Sequence, residues 1–442
     1  MIIMLIDFTI KNFRSFKDEA DLSAETGARL TKYKQTNTFS SLKVPVLKSL
    51  LIFGPNGAGK SQLFNALFLM RQMVLNGGAQ TITQQLPYNP FKFDHESSQQ
   101  PTTFTVKFER GKTVYEYSFS YDSEAITAEK LVVFNTRKAR VYFNIVNNEV
   151  VEIDPQLENP GKRLRRNALF LYVAQQENDL VAAEVYKWFA QDLVFIKPDE
   201  GVPAQFLTLM DNAELKREMV SFLNFADFNI SDITIRKVPL NIPPELVKMM
   251  GQLGSPKAPQ STLQLYTIHK SYDEYGNVIG SEELPLYDES VGTQKLFVIV
   301  LAMIFSQIHH NGKTILIDEF DDSLHYELSS ALVKIFNSVE NNNQYIITTH
   351  NFNLLDAGIR VDQIYFVEKN FMGQSDLKSA FDFTDSRGNA RRDAHFAKKY
   401  IQGQYGAIPV IDTDSLLGVL AEVKKAIGAT ENDQETQEKR SY

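Results

Sequence analysis

The stretch Gly54-Pro55-Asn56-Gly57-Ala58-Gly59-Lys60-Ser61 constrains this chain more than any other. It follows the apolar run Leu50-Leu51-Ile52-Phe53, which reads as a buried strand, and precedes a helical pattern from Gln62 to Met70. Strand, glycine-rich loop and helix are the setting in which a backbone cradles phosphate groups. The glycines let the loop from Asn56 through Gly57, Ala58 and Gly59 curl until successive N–H groups point inward. Lys60 can then reach the β- and γ-phosphates of a nucleotide, and the Ser61 hydroxyl can ligate Mg²⁺. The alternative, a glycine-rich turn without a ligand, explains neither the strand before it nor the helix after it.

Three further segments carry chemistry. Lys313 to Ile317 is a short apolar strand ending in Asp318-Glu319. In a phosphate-loop ATPase the first such acid helps to hold Mg²⁺ and the second orients water for attack on the γ-phosphate; a surface strand that happens to end in two acids is the alternative. Tyr345 to Thr349 is a similar strand ending in His350. At that end His350 can contact the γ-phosphate, or it can be a structurally satisfied histidine. Finally, Ser290-Val291-Gly292-Thr293-Gln294 opens a helical pattern running to Phe305. Its free N–H groups and hydroxyl suit an anion, although taken alone the segment reads as a helix cap with Ser290 at the N-cap.

Composition limits what else the chain can be. Its 442 residues and 50.3 kDa predict two or three lobes, and the absence of cysteine excludes disulfides, thiolate zinc sites and cysteine nucleophiles. A net charge of −8 creates no global pull towards nucleic acid. Two basic clusters, Arg137-Lys138-Ala139-Arg140 and Lys162-Arg163-Leu164-Arg165-Arg166, read as solvated loop faces. The start, Met1 to Ile6, meets Asp7 too soon for a signal peptide, and the apolar run Leu296 to Phe305 is half a membrane span, so a cytoplasmic protein without a membrane segment is expected.

In chain order, Leu5 to Phe16 alternates as a strand and turns at Asn12 to Ser15, where Arg14 either lies near a bound nucleotide or decorates the sheet edge. Phe104–Phe108, Val114–Tyr121 and Ala128–Asn135 read as antiparallel strands. Leu169–Gln176, Leu180–Leu193, Asn212–Ala226 and Pro244–Leu253 show helical spacing. These patterns predict residues 1–146 as the first part of a nucleotide-binding head, 147–260 as a compact helical insertion, 261–412 as the second part of the head, and 413–442 as a terminal helix and tail. Heptads never persist, so no long coiled coil is expected.

The order of motifs resembles the ABC-class ATPase heads of the SMC/RecF type, whose first strand is similar to Lys11-Asn12-Phe13-Arg14-Ser15-Phe16. More narrowly, Asp288–Leu296 (DESVGTQKL), Leu316–His325 (LIDEFDDSLH), Thr348–Asp356 (TTHNFNLLD) and Tyr400–Pro409 (YIQGQYGAIP) resemble the stand-alone AAA ATPases of prokaryotic anti-phage loci, including the Rlo-, Abi- and PARIS-type subunits. The resemblance implies an α/β phosphate-loop NTPase of ABC-head type with added antiparallel strands.

It also implies a shared site binding ATP and Mg²⁺. Two copies would sandwich ATP, with Ser290, Gly292 and Gln294 acting in trans and Lys60, Ser61, Asp318, Glu319 and His350 in cis. Asp321 to His325 would join the two sites. The expected partners are a second copy or a larger homo-oligomer, a separate effector such as a Toprim-like or other nuclease or toxin, and a phage protein as trigger. A RecF-like DNA-repair clamp, binding duplex DNA, is the alternative. Gln84 and Gln85 follow the phosphate-loop helix, and neither is assigned as the glutamine that other ABC heads place after it.

Overall fold

The computed structural model describes residues 3–27, 30–39, 43–79, 81–134, 139–161, 164–196, 207, 210, 212–225, 229–239, 261–308, 312–382, 417–419 and 422. Its centre is a six-stranded sheet in the order β11-β15-β16-β5-β17-β18. These strands are β5 (Ser49–Phe53), β11 (Leu193–Ile196), β15 (Thr314–Ile317), β16 (Gln344–Thr349), β17 (Ile364–Lys369) and β18 (Ser375–Ser379). All neighbours run parallel except β17 and β18.

Parallel strands covered on both faces read as unbroken apolar runs, and here each run splits by alternation between two cores. Leu50, Ile52, Leu316, Ile346, Tyr365 and Val367 face one core. Leu51, Phe53, Ile315, Ile317, Ile347 and Phe366 face the other.

The first core is closed by a seven-stranded antiparallel sheet, in the order β10-β9-β8-β7-β6-β1-β2. It comprises β1 (Ile3–Lys11), β2 (Ala20–Ser23), β6 (Thr102–Arg110), β7 (Thr113–Tyr121), β8 (Ile126–Phe134), β9 (Arg140–Val146) and β10 (Glu149–Ile153). Helix α1 (Lys60–Asn76), α2 (Phe170–Gln176) and α3 (Leu180–Lys187) contribute to the same core. Trp188 stacks on Phe108 with ring centroids 4.2 Å apart. Where β1 bulges between Leu5 and Asp7, the Leu5 N–H donates to Oε1 of Gln344 at 2.9 Å, and the Gln344 amide donates back to the Leu5 carbonyl. One buried glutamine side chain thus joins the two sheets, pairing backbone groups of Leu5 in the interior alongside the Thr314 hydroxyl.

The second core is closed by α4 (Ala213–Phe225), α5 (Val291–Ile308) and α6 (Tyr326–Phe336). Beyond it lies a three-stranded sheet of β12 (Asp232–Pro239), β13 (Ser261–Tyr272) and β14 (Val278–Pro285); β3 (Thr38–Phe39) and β4 (Val46–Leu47) form a short pair. Among the described residues the longest helix, α5, has 18 residues, and there is no coiled-coil arm.

The stretch 147–260, expected to be a helical insertion, has mixed structure in its described part. The pattern read as one helix from Leu180 to Leu193 stops at Lys187. A π-turn over Trp188–Asp192 follows, and Leu193–Ile196 then joins the parallel sheet beside β15. A four-residue apolar run fits a buried strand and a buried helix equally well, and pairing with β15 decides it. The β13–β14 hairpin and β9–β10 were not anticipated. Pro244–Leu253 and Tyr400–Pro409 lie outside the described residues, and of 413–442 only 417–419 and 422 are described, as helix.

Candidate functional site

Because β5, β15 and β16 are parallel neighbours, the segments at their carboxyl ends share one edge of the sheet. Those segments are the phosphate loop, Asp318-Glu319 and His350. After β5 the chain turns with Gly57 at φ +77° and Gly59 at φ +119°, then enters α1 at Lys60. The loop is clamped from outside. A Cβ on Gly54 would meet the Val367 carbonyl oxygen at 2.5 Å, and one on Gly59 would meet Oγ of Ser375 at 2.4 Å. Lys60 is buried, its ammonium donating to the carbonyls of Gly54 at 2.7 Å and Pro55 at 3.2 Å. Burial lowers its pKa from the usual lysine range, while the carboxylates of Asp318, Glu319 and Asp321 pull it back up.

A cavity of about 280 Å³ opens over this loop, lined by Arg14, Ser15, Asn56, Gly57, Gly59, Lys60, Ser61, Gln62, Glu319 and Lys369. Arg14 sits in a left-handed turn at φ +51°, its guanidinium donating to Oε1 of Gln62 at 2.7 Å. Among the described residues, Oγ of the buried Ser15 has no hydrogen-bond partner. Cationic groups, an orphaned hydroxyl and a glycine cradle fit a nucleotide's phosphate groups. A larger cavity of about 690 Å³ between β2 and β18 carries Glu19, Asp21, Glu25, Asp362 and Asp382, and such a lining repels a triphosphate.

The acidic pair is held by the strand beside it. Thr348 on β16 donates its hydroxyl to Oδ1 of Asp318 and accepts the Glu319 N–H at 2.7 Å. Glu319 itself adopts φ +47°, which turns the chain out of β15 and leaves its side chain on the wall of the phosphate cavity. If Mg²⁺ binds here, Ser61 and Asp318 offer the oxygen donors it prefers, and the ion would neutralise phosphate charge. His350 is exposed at the end of β16.

The signature segment lies apart from this cavity in the same chain. Ser290 is exposed, and its Oγ accepts the Thr293 N–H at 3.1 Å, the cap geometry expected of Ser290. The Gln294 side chain donates to the carbonyls of Glu289 at 2.7 Å and Tyr287 at 3.2 Å, so its amide closes the turn in cis. Gly292 packs on the turn after β15, where a Cβ would meet the Ser323 carbonyl oxygen at 2.3 Å. Gln84 and Gln85 are exposed.

Sequence reading missed Ser15, Gln62, Thr348, Lys369 and Ser375. Ser15 follows Arg14 in a turn already singled out, and Thr348 precedes a strand end already assigned. Lys369 and Ser375 had no local signal.

Residues 50–146 and 188–356, more than half of the chain, match the family described as "AAA domain, putative AbiEii toxin, Type IV TA system". The chain belongs to this family. As an AAA-domain protein it is an ATP-hydrolysing enzyme, and the phosphate loop and acidic strand described above both lie within the matched residues. No curated protein matches the sequence. Among solved structures, this AAA-domain chain is similar to an SmcHead bound to the C-winged helix domain of ScpA, at 11% identity and TM-score 0.41, covering 85% of this chain and 96% of that one. It is also similar to an SMC head domain from Thermotoga maritima, at 12% identity and TM-score 0.37, covering 85% and 98%. A third is an Smc head domain with an extended coiled coil, bound to the C-terminal domain of ScpA and derived from Pyrococcus furiosus, at 11% and 0.38, covering 85% and 96%. Among the described residues no helix is long and apolar enough to cross a membrane, and no cluster of His, Asp and Glu has the geometry of a metal site.

Proposed function

We propose that this chain is the ATP-hydrolysing sensor or scaffold subunit of an anti-phage defence system. Two copies sandwich ATP, and nucleotide state controls a separate effector, a Toprim-like or other nuclease or toxin. One observation carries the shared site: the phosphate cavity is lined by Arg14, Ser15, Lys60, Ser61 and Glu319 but by no residue of Ser290–Gln294, while Ser290 and Val291 are exposed. A second copy can therefore bring its signature segment over the γ-phosphate. In this reading Lys60 and Ser61 hold the phosphates with Mg²⁺, Glu319 orients the attacking water, and His350 contacts the γ-phosphate. ATP then favours the closed dimer through its differential affinity, and hydrolysis releases it. The defence role is supported by the family's description, "AAA domain, putative AbiEii toxin, Type IV TA system".

Phage challenge of cells carrying the native locus, with Lys60→Ala and Glu319→Gln forms, tests the role; loss of protection is expected from both, and unchanged protection by both removes it. Light scattering of purified Glu319→Gln tests the sandwich. A dimer that needs Mg²⁺-ATP and is lost in Ser290→Arg is expected, whereas a mass indifferent to nucleotide counts against it.

A further inference from the structure

Lys295 lies one residue beyond the signature segment, on the first turns of α5, and is only 3% exposed. A buried ammonium is costly unless paired, and this one has found an uncommon partner set. It donates to the backbone carbonyl of Glu319 and, at 3.2 Å, to that of Asp322. The carboxylates of Asp322, Asp321, Glu319 and Asp318 all act on it. It also lines, with Asp318, Glu319 and Asp322, a second cavity of about 560 Å³ that shares Glu319 with the phosphate cavity.

The turn it grips is strained. Glu319 at φ +47° and Ser323 at φ +63° are both non-glycine residues in left-handed backbone, a conformation that L side chains disfavour. Such residues persist only where their surroundings over-determine them. Two contacts do so from the start of α5: the Lys295 ammonium on the carbonyls, and the close approach of Gly292 to the Ser323 carbonyl. Thr348 holds the other side through the Glu319 N–H.

We propose that Lys295 is a positioning residue for hydrolysis, its ammonium clamping the Glu319–Asp322 turn to the start of α5 so that the aim of Glu319 follows the position of Ser290–Gln294. It touches no substrate. It makes the signature segment and the water-orienting acid of one chain move as one piece, so engagement of Ser290–Gln294 by a second copy is felt at the first copy's own Glu319. The proposal rests on the assignment of Glu319 made above.

The experiment compares steady-state hydrolysis and equilibrium ATP binding in wild type, Glu319→Gln, Lys295→Met and Lys295→Arg. For Lys295→Met the expected result is a fall in kcat of about 100-fold, with KM and ATP affinity held within about threefold. Lys295→Arg, which restores a cation with several donors, is expected to recover kcat to within about tenfold of wild type. A kcat for Lys295→Met within about threefold of wild type overturns the proposal, as does a parallel loss of ATP affinity that Lys295→Arg does not rescue. If Lys295→Met does not fold, Lys295→Gln, which keeps a donor without charge, is read by the same criteria. Retained hydrolysis in Glu319→Gln removes the underlying assignment; abolished hydrolysis there with full activity in Lys295→Met removes the clamp alone.

Discussion

The hydroxyl of Ser375 donates to the carbonyl of Ala58 at 2.5 Å, tying the antiparallel edge strand β18 of the central sheet to the middle of the phosphate loop. The Ser375 N–H also donates to the Ser15 carbonyl at 2.7 Å, so one residue braces two walls of the nucleotide cavity. A buried neutral hydrogen bond contributes about 1 kcal/mol. Ser375→Ala is therefore expected to weaken binding of a non-hydrolysable ATP analogue about fivefold by calorimetry, with the fold retained.

Thr348 holds the acidic pair by accepting the Glu319 N–H and donating to Asp318. Thr348→Val keeps the shape but leaves both groups without that partner, a loss of about 1–3 kcal/mol. Hydrolysis is expected to fall by about 10- to 100-fold in kcat with KM little changed, since the loop that binds the phosphates is untouched. A change confined to KM would show that Thr348 does not act through Glu319.

Asp192 is almost fully buried between two cations. Its Oδ1 accepts from the Lys313 ammonium at 2.6 Å and its Oδ2 from Nε of Arg110 at 3.0 Å, joining the π-turn, the start of the acidic strand's segment and β6. Arg110 keeps Glu184 as a second partner, but removing Asp192 takes the buried Lys313 ammonium's carboxylate away, at about 3–5 kcal/mol. Asp192→Ala is expected to lower the urea midpoint by a corresponding amount. The loss should exceed that of Lys17→Ala, whose ion pair with Asp94 lies at the surface.

Glu129 is buried and accepts hydrogen bonds from the N–H groups of Phe170 and Leu171 and from the Tyr117 hydroxyl. Burial outweighs those bonds and pushes its carboxyl from 4.5 up to about 7. The folded state thus holds the proton more tightly than the unfolded chain. The stabilisation is fully present below pH 4.5, is lost as pH rises to about 7, and is worth on the order of 3 kcal/mol. Chemical denaturation from pH 4.5 to 8 should show this decline in wild type, and Glu129→Gln should lack its share of it. Parallel pH profiles in the two proteins would refute it.

Much of the site was readable because its parts are local. The phosphate loop is eight consecutive residues whose glycines and strand–helix flanks declare it, and Asp318-Glu319 is declared by the apolar strand before it. Ser290 as a helix cap follows from residue type and position. The segment from Leu180 to Ile196 was harder: apolar spacing runs unbroken from α3 through the π-turn into β11, and only β15, more than a hundred residues away, selects strand for its end. The β13–β14 hairpin was missed because β14 is exposed along nearly its whole length, so little alternation marks it.

By itself, then, the sequence determined the chemistry available: which loop can hold phosphates, which acids follow a strand, and which segment opens α5. Its periods of two and 3.6 residues, combined with turn residues at Asn12–Ser15 and Gly57–Gly59, are short-range properties of the chain. Only the tertiary structure decided which distant groups support that chemistry. Ser375 against Ala58, Thr348 on Asp318, Gln344 between the sheets and Lys295 beneath Glu319 are contacts between segments far apart in sequence. The reason is that a buried polar group must find a partner wherever packing places one, and packing follows from the whole set of strands and helices at once.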